Sequence, residues 1–208
     1  HRDLHSFPTR RSSDLIGKEL DGGSILVEGD AGAYLGLGMK FGEIGVTGNA
    51  GIFAACEMKK GFIVIGGNAG DFLGAALPGN KMGMKGGTVL VKGNVGERAG
   101  DHMRRGNILI EGNAGDYCGS RMTAGTIAVM GKTGRYLGYA MRRGTLLLWN
   151  QPALSASFND CGAHTLAFLL YCLHHLKNSI PNLPMLLWHL TACSAMPATC
   201  RKLAEAKC

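Results

Sequence analysis

The chain has 208 residues, 46% of them hydrophobic and 18% charged, enough apolar material to bury a core and too much for a disordered polymer. Its 22 basic and 15 acidic residues leave a net charge of +7, which suits acidic partners; aromatics are only 7% and do not interleave with the basic residues, which argues against a nucleic-acid binder. No apolar run approaches the ~20 residues of a membrane span, so a soluble protein is expected.

Residues 1 to 15, HRDLHSFPTRRSSDL, contain no glycine and none of the pattern that follows. They read as the translated remnant of a sequencing adapter joined to a truncated gene, and we set them aside as a non-native segment.

From residue 16 to residue 150 the chain is a repeat. Thirty-two of its 33 glycines fall between Gly17 and Gly144, against one of its six prolines. Anchors at Gly23, Gly42, Gly61, Gly87, Gly106, Gly125 and Gly144 are spaced 19 apart with a single interval of 26. Each opens a near-copy of G-x-I-x-V-x-G-N-A-G-x-x-L-G-x-x-M. The seven extra residues lie between Gly74 and Met84, where Pro78-Gly79-Asn80 predicts a protruding turn. Two aliphatic columns, Ile25 to Leu146 and Val27 to Leu148, are separated by two positions, the period of a strand face. A short period with β-branched pairs and glycine corners fits stacked coils about 4.8 Å apart. The expected fold is therefore an all-β solenoid, a right-handed single-stranded β-helix of about six 19-residue coils. Asp30, Asn49, Asn68, Asn94 and Asn113 would form a structural side-chain ladder at one corner.

Residues 151 to 208 form a C-terminal tail. Asn159-Asp160 supplies an N-cap for a short α-helix over about 163–176, closed by Pro181 and Pro184. The seven cysteines show no dense disulfide framework, which points to a reducing cytoplasm.

The coil motif, with Phe158-Asn159-Asp160-Cys161-Gly162-Ala163-His164 after the last coil, resembles the glycine-repeat subunit of the formyltransferase/hydrolase complex and of formylmethanofuran dehydrogenase. Both belong to the glycine-repeat superfamily that includes the C-terminal domain of the glutamate synthase large subunit. The resemblance implies a structural subunit, without catalytic residues of its own, in one-carbon metabolism linked to methanofuran or methylofuran and tetrahydromethanopterin. Metals and molybdopterin-type cofactors would then sit in other subunits, namely amidohydrolase-like, molybdopterin-family-like and formyltransferase partners, with none bound by this chain.

The residues themselves support no catalytic, cofactor or metal site. Cys161-x-x-His164 and Cys172-x-x-His175 have a tempting spacing, but equivalent residues on one helix would lie about 16 Å apart, too far for one ion. Asp71, Glu97 and Asp116 share a column and read as a solvated ridge. The glycines lack the lysine-serine pair and the following helix of a phosphate loop.

Two surfaces remain. Leu26, Val64, Leu90, Leu109 and Leu147 lie between the inward columns and form an outward apolar stripe that the tail helix or a partner must cover. Lys59, Lys60, Lys85, Arg104, Arg105, Arg142 and Arg143 precede the anchors and form a basic ladder. It would be a solvated rim, or would meet an acidic partner surface or a polyglutamate carrier tail. The alternatives in function are a glutamate synthase-like structural arm and a freestanding β-solenoid binder. An ice binder would need a regular threonine array, and a glycan binder aromatic platforms, which are sparse in this sequence.

Overall fold

The computed structural model describes residues 13–152 together with Phe158 and Asn159. Seven strands follow one another: β1 (Asp21–Val27), β2 (Phe41–Val46), β3 (Phe62–Ile65), β4 (Lys85–Val91), β5 (Arg105–Ile110), β6 (Thr126–Val129) and β7 (Thr145–Leu148). They pair in parallel in chain order, so each strand is one rung above its predecessor in a β-solenoid. The helix expected at about 163–176 and both Cys-x-x-His pairs lie outside the described residues.

Register follows the sequence columns. Ile25 faces Ile44, then Ile63, Val89, Ile108, Ile127 and Leu146 in turn; Val27 starts a second file that runs through Val46 and Ile65 to Leu148. The middle of both files is fully buried, with Ile63, Ile65, Val89, Val91 and Ile108 at 0% exposure. Parallel strands sealed on the inner side need this continuous aliphatic run, because each side chain packs on its copy above and below. Leu35, Leu73, Ala99 and Cys118 complete the interior, with Met39, Met58, Met84, Met103 and Met122. The end rungs are looser, and Ile25, Val27, Met141 and Leu148 are half-buried.

A second line of pairing runs opposite the strands through Ala31, Ala50, Ala69, Val95, Ala114 and Thr133. Beside it stands the corner ladder. The Oδ1 atoms of Asn49, Asn68, Asn94 and Asn113 each accept the backbone N–H of the equivalent residue one coil on, at 2.8 Å. Asp30 does the same for Asn49 at 2.7 Å.

The third line is not β-structure. Tyr34, Gly36 and Gly38 have φ of 61°, 64° and 64°, and left-handed residues recur at alternate positions along this line of each coil. Alternation turns successive N–H groups to opposite neighbours: Tyr34 donates to Ile52 in the next coil, Gly36 to Ile16 in the previous one, and Gly38 to Cys56 in the next. Backbone groups are thereby satisfied without a strand. Phe53, Phe72, Arg98, Tyr117 and Tyr136 occupy the same left-handed position as Tyr34, an unfavourable conformation for any residue with a Cβ.

The anchor glycines have a double reason. Gly61 has φ of 100°, and a Cβ there would lie 2.6 Å from the Gly42 carbonyl oxygen and 2.8 Å from Met39 Cε. Neither the conformation nor the space admits a side chain.

Pairing begins before residue 16. Leu15 donates to Ala33, Gly32 donates to Ser13, and Asp14 Oδ1 accepts the Ala33 N–H at 2.8 Å. Ser13, Asp14 and Leu15, expected to lie in the foreign segment, thus hydrogen-bond into the coil stack.

Candidate functional site

The residues just before each anchor follow the methionine column and lead into a strand, so successive coils carry their side chains outward at the same corner. Lys59, Lys60, Arg104, Arg105, Arg142 and Arg143 are exposed there, and Lys85 is half-buried. Their backbones stack: Lys59 donates to Met39, Lys85 to Met58, Arg104 to Met84, Thr123 to Met103 and Arg142 to Met122. Lys40 donates to Leu20 in the same file and is a further exposed member of the ladder, since it too stands two before an anchor. Rungs about 4.8 Å apart place Arg104 and Arg142 about 10 Å apart across the uncharged Thr123.

Few of these cations are neutralised. Lys85 lies 4.0 Å from Glu57, and Lys40 lies 4.0 Å from Asp21. Among the described residues, the other six make no ion pair. The corner is a row of solvated charges that repel one another and that a flexible acidic chain would relieve.

The apolar stripe is not uniform. Its members are in register from Leu26 through Gly45, Val64, Leu90, Leu109 and Ala128 to Leu147. Leu26 is 71% exposed, whereas Leu90 and Leu109 are 3% and 2% exposed; Val64 and Leu147 lie between. The middle of the stripe is covered and its first rung is open. Phe41, paired with Asp21 at the other end of β1, is also 61% exposed.

The insertion between Gly74 and Met84 is a built loop. Asn80 N–H closes on the Leu77 carbonyl at 2.9 Å, with Gly79 at φ 89°, as a Pro-Gly turn requires. Glu57 grips it from the previous coil, accepting from Asn80 Nδ2 at 2.5 Å and Leu77 N–H at 3.4 Å. Arg104 Nη1 reaches Met82 Sδ at 2.7 Å from the next coil. Pro78, Gly79, Asn80, Lys81 and Met82 line its outer side, and all but Pro78 and Lys81 are flanked by a neighbouring coil contact or the turn itself.

Sequence reasoning misses three features. Aromatics, sparse in the sequence, converge into one column: Tyr34, Phe53 and Phe72 stack at 5.3 and 4.7 Å, and Tyr117 stacks on Tyr136 at 4.8 Å. Arg98 bridges the two halves, its guanidinium 5.9 Å from the Phe72 ring centre and 5.1 Å from that of Tyr117. Ring faces are mostly used by neighbours, so the column strengthens the third wall more than it offers a platform. Second, Asp101 is 5% exposed and holds Arg121, Ser120 Oγ at 2.6 Å and His102 Nδ1 at 3.1 Å. Third, the acidic column is structural: Asp71 accepts the Glu97 N–H at 2.8 Å and Asp116 the Arg135 N–H at 2.7 Å.

Reactive groups are scattered. Burial pushes the Cys56 and Cys118 thiols up to about 12, which keeps them protonated and unreactive. Burial also pushes the Glu111 carboxyl above its ordinary range, against a smaller opposing pull from Lys92. Among the described residues no group of three or more His, Cys, Asp or Glu side chains is placed to hold a metal ion. No helix among them is long and apolar enough to cross a membrane.

With this geometry in view, residues 13–162 match the GXGXG motif family. A chain in the crystal structure of the formyltransferase/hydrolase complex (FhcABCD) from Methylorubrum extorquens, in complex with methylofuran, is similar to this one in fold and sequence. The two share 42% identity at a TM-score of 0.75, over 81% of this chain and 63% of that one. This chain therefore spans less than two thirds of the neighbour's length. The comparison with curated proteins finds no match.

Proposed function

Because the chain belongs to the GXGXG motif family, we propose that it is the structural, glycine-repeat subunit of a formyltransferase/hydrolase-type complex, and that it contributes surfaces rather than catalysis. The observation that carries this is the 42% identity to a chain of such a complex over a solenoid whose interior is a continuous aliphatic file. A core so filled has no room for substrate, so the working parts of the molecule are its outer faces. Formyl transfer and hydrolysis belong to partner subunits, and the one-carbon carriers, methylofuran and tetrahydromethanopterin, are handled with them in the cytoplasm.

The basic corner has a specific part in this scheme. Lys59, Lys60, Arg104, Arg105, Arg142 and Arg143 hold the acidic tail of the carrier or an acidic stretch of a partner. Arginine forks grip successive carboxylates, and the lysines add unspecific attraction. The open first rung of the stripe at Leu26 adds an apolar contact for a neighbouring subunit.

Co-expression tests the assignment. The full chain replaces the subunit it resembles beside the remaining subunits of the Methylorubrum extorquens complex, and native mass spectrometry reads the assembly. A stable particle containing this chain is expected. Partner subunits that assemble without it, at every stoichiometry tested, would contradict the assignment.

A further inference from the structure

The insertion is the one place where the repeat is broken, and its construction shows that the fold does not need it. In the following coil the equivalent residues Asp101 and His102 are directly bonded; here Ala75 and Gly83 take those places with residues 76–82 between them. The two stems lie side by side, since a Cβ on Gly83 would stand 2.9 Å from the Ala75 carbonyl carbon. Ala75 and Met84 are fully buried. The extra residues leave and rejoin the stack at a single point, and beyond Ala76 none of them enters the core.

An idle insertion of this kind would be free to move, yet this one is fixed three ways. A Pro-Gly turn sets its tip, Glu57 binds it from one coil and Arg104 from another. Met82 is nevertheless 40% exposed, and Lys81 and Pro78 project beside it. A pre-ordered, exposed segment loses little conformational entropy on association, which is the property of a docking element. The surrounding corner is positive, so the matching surface is negative.

We infer that residues 76–82 are a rigid docking finger for a partner protein whose surface combines an apolar pocket, for Met82 and Pro78, with an acidic rim facing Lys81. This rests on the subunit assignment above and names one contact within it. Lys81 is not a member of the file proposed to hold the acidic carrier tail, whereas Met82 touches that file through Arg104, so Lys81 is the residue that separates the two roles.

The experiment compares three full-length chains in the same co-expression system: the unaltered chain, a deletion of residues 76–82 joining Ala75 to Gly83, and a Lys81→Glu/Met82→Ser double variant. Circular dichroism and melting temperature report folding, and partner affinity is measured by biolayer interferometry at low and high salt. The deletion restores a uniform 19-residue period and is expected to melt within a few degrees of the parent. Both variants are expected to bind partner subunits at least tenfold more weakly, and the parent's binding should weaken as salt rises. Unchanged affinity in the double variant overturns the inference, whether or not the deletion folds, and leaves the subunit assignment standing. Failure of the unaltered chain to associate overturns both.

Discussion

Asp101 holds Arg121, one coil further along the chain, by two parallel contacts: Nε donates to Oδ1 at 3.1 Å and Nη2 to Oδ2 at 2.9 Å. The carboxylate also accepts from Ser120, itself 1% exposed, so a buried charge is met from the next rung rather than left in an apolar wall. Replacing Arg121 by alanine strips the acid of its counter-ion. Arg121 is 41% exposed at its side chain, which screens the pair, and the expected loss is about 2 kcal/mol. Urea denaturation checks this; a midpoint equal to the parent's would show that the pair contributes nothing.

Phe53 sets stacking against backbone geometry. Its ring lies between Tyr34 and Phe72, while its φ of 58° is one that glycine adopts more readily. Both Phe53→Ala and Phe53→Gly lose the stacking, but only glycine removes the conformational penalty. Phe53→Gly is therefore expected to be the more stable of the two by about 1 kcal/mol. The opposite order, measured by thermal melting, would mean that this wall is not left-handed in solution.

The difference between these two sites and the strands explains what the sequence reveals. The register of Ile44, Ile63 and Val89 is legible because each coil repeats the same residue type at the same place, and burial selects for it. The loop at Pro78-Gly79 is legible because turn chemistry is local. The alternating wall is not, because Tyr34, Phe53 and Arg98 owe their conformation to hydrogen bonds with other coils, and local preference points the other way. Asp101 falls in a column with Leu37, Cys56, Ala75 and Tyr139, and Arg121 in one with Gly38, Glu57, His102 and Ala140, so no repeated residue type announces them. Leu26 and Leu109 share a column and a residue type yet are 71% and 2% exposed, so the column alone does not announce burial.

Alkaline pH should weaken the fold through its thiols. Cys56 and Cys118 have an ordinary value of 9.0 when unfolded and about 12 when buried. Between these values the unfolded chain releases protons that the folded chain keeps. Their contribution is fully present below pH 9 and is lost as pH rises towards 12, by up to about 1.4 kcal/mol per pH unit for each thiol. Cys118→Ala should make the decline between about pH 9 and about pH 11 shallower than the parent's. Equal slopes in urea titrations at several pH values would contradict the burial of that thiol.

The basic corner predicts a charge-dependent affinity. Exchange of Arg104, Arg105, Arg142 and Arg143 for serine should weaken binding of a glutamate-rich peptide at least tenfold at low salt. The parent's own affinity should fall as salt is added. Fluorescence anisotropy with a labelled polyglutamate peptide measures both. Salt-independent binding, or binding unaffected by the four exchanges, would show that this corner holds no acidic chain.

His102 gives the most direct test of the claim that this subunit does no chemistry. With Nδ1 held 3.1 Å from buried Asp101, it is the residue among those described that most resembles an oriented acid-base group. Turnover per assembled particle is the quantity to measure, comparing the parent with His102→Gln in the co-expressed complex, with assembly counted by native mass spectrometry. A scaffold predicts rates within about twofold of each other for formyl transfer and for hydrolysis. A hundredfold fall in either rate, in particles that assemble normally, would contradict it.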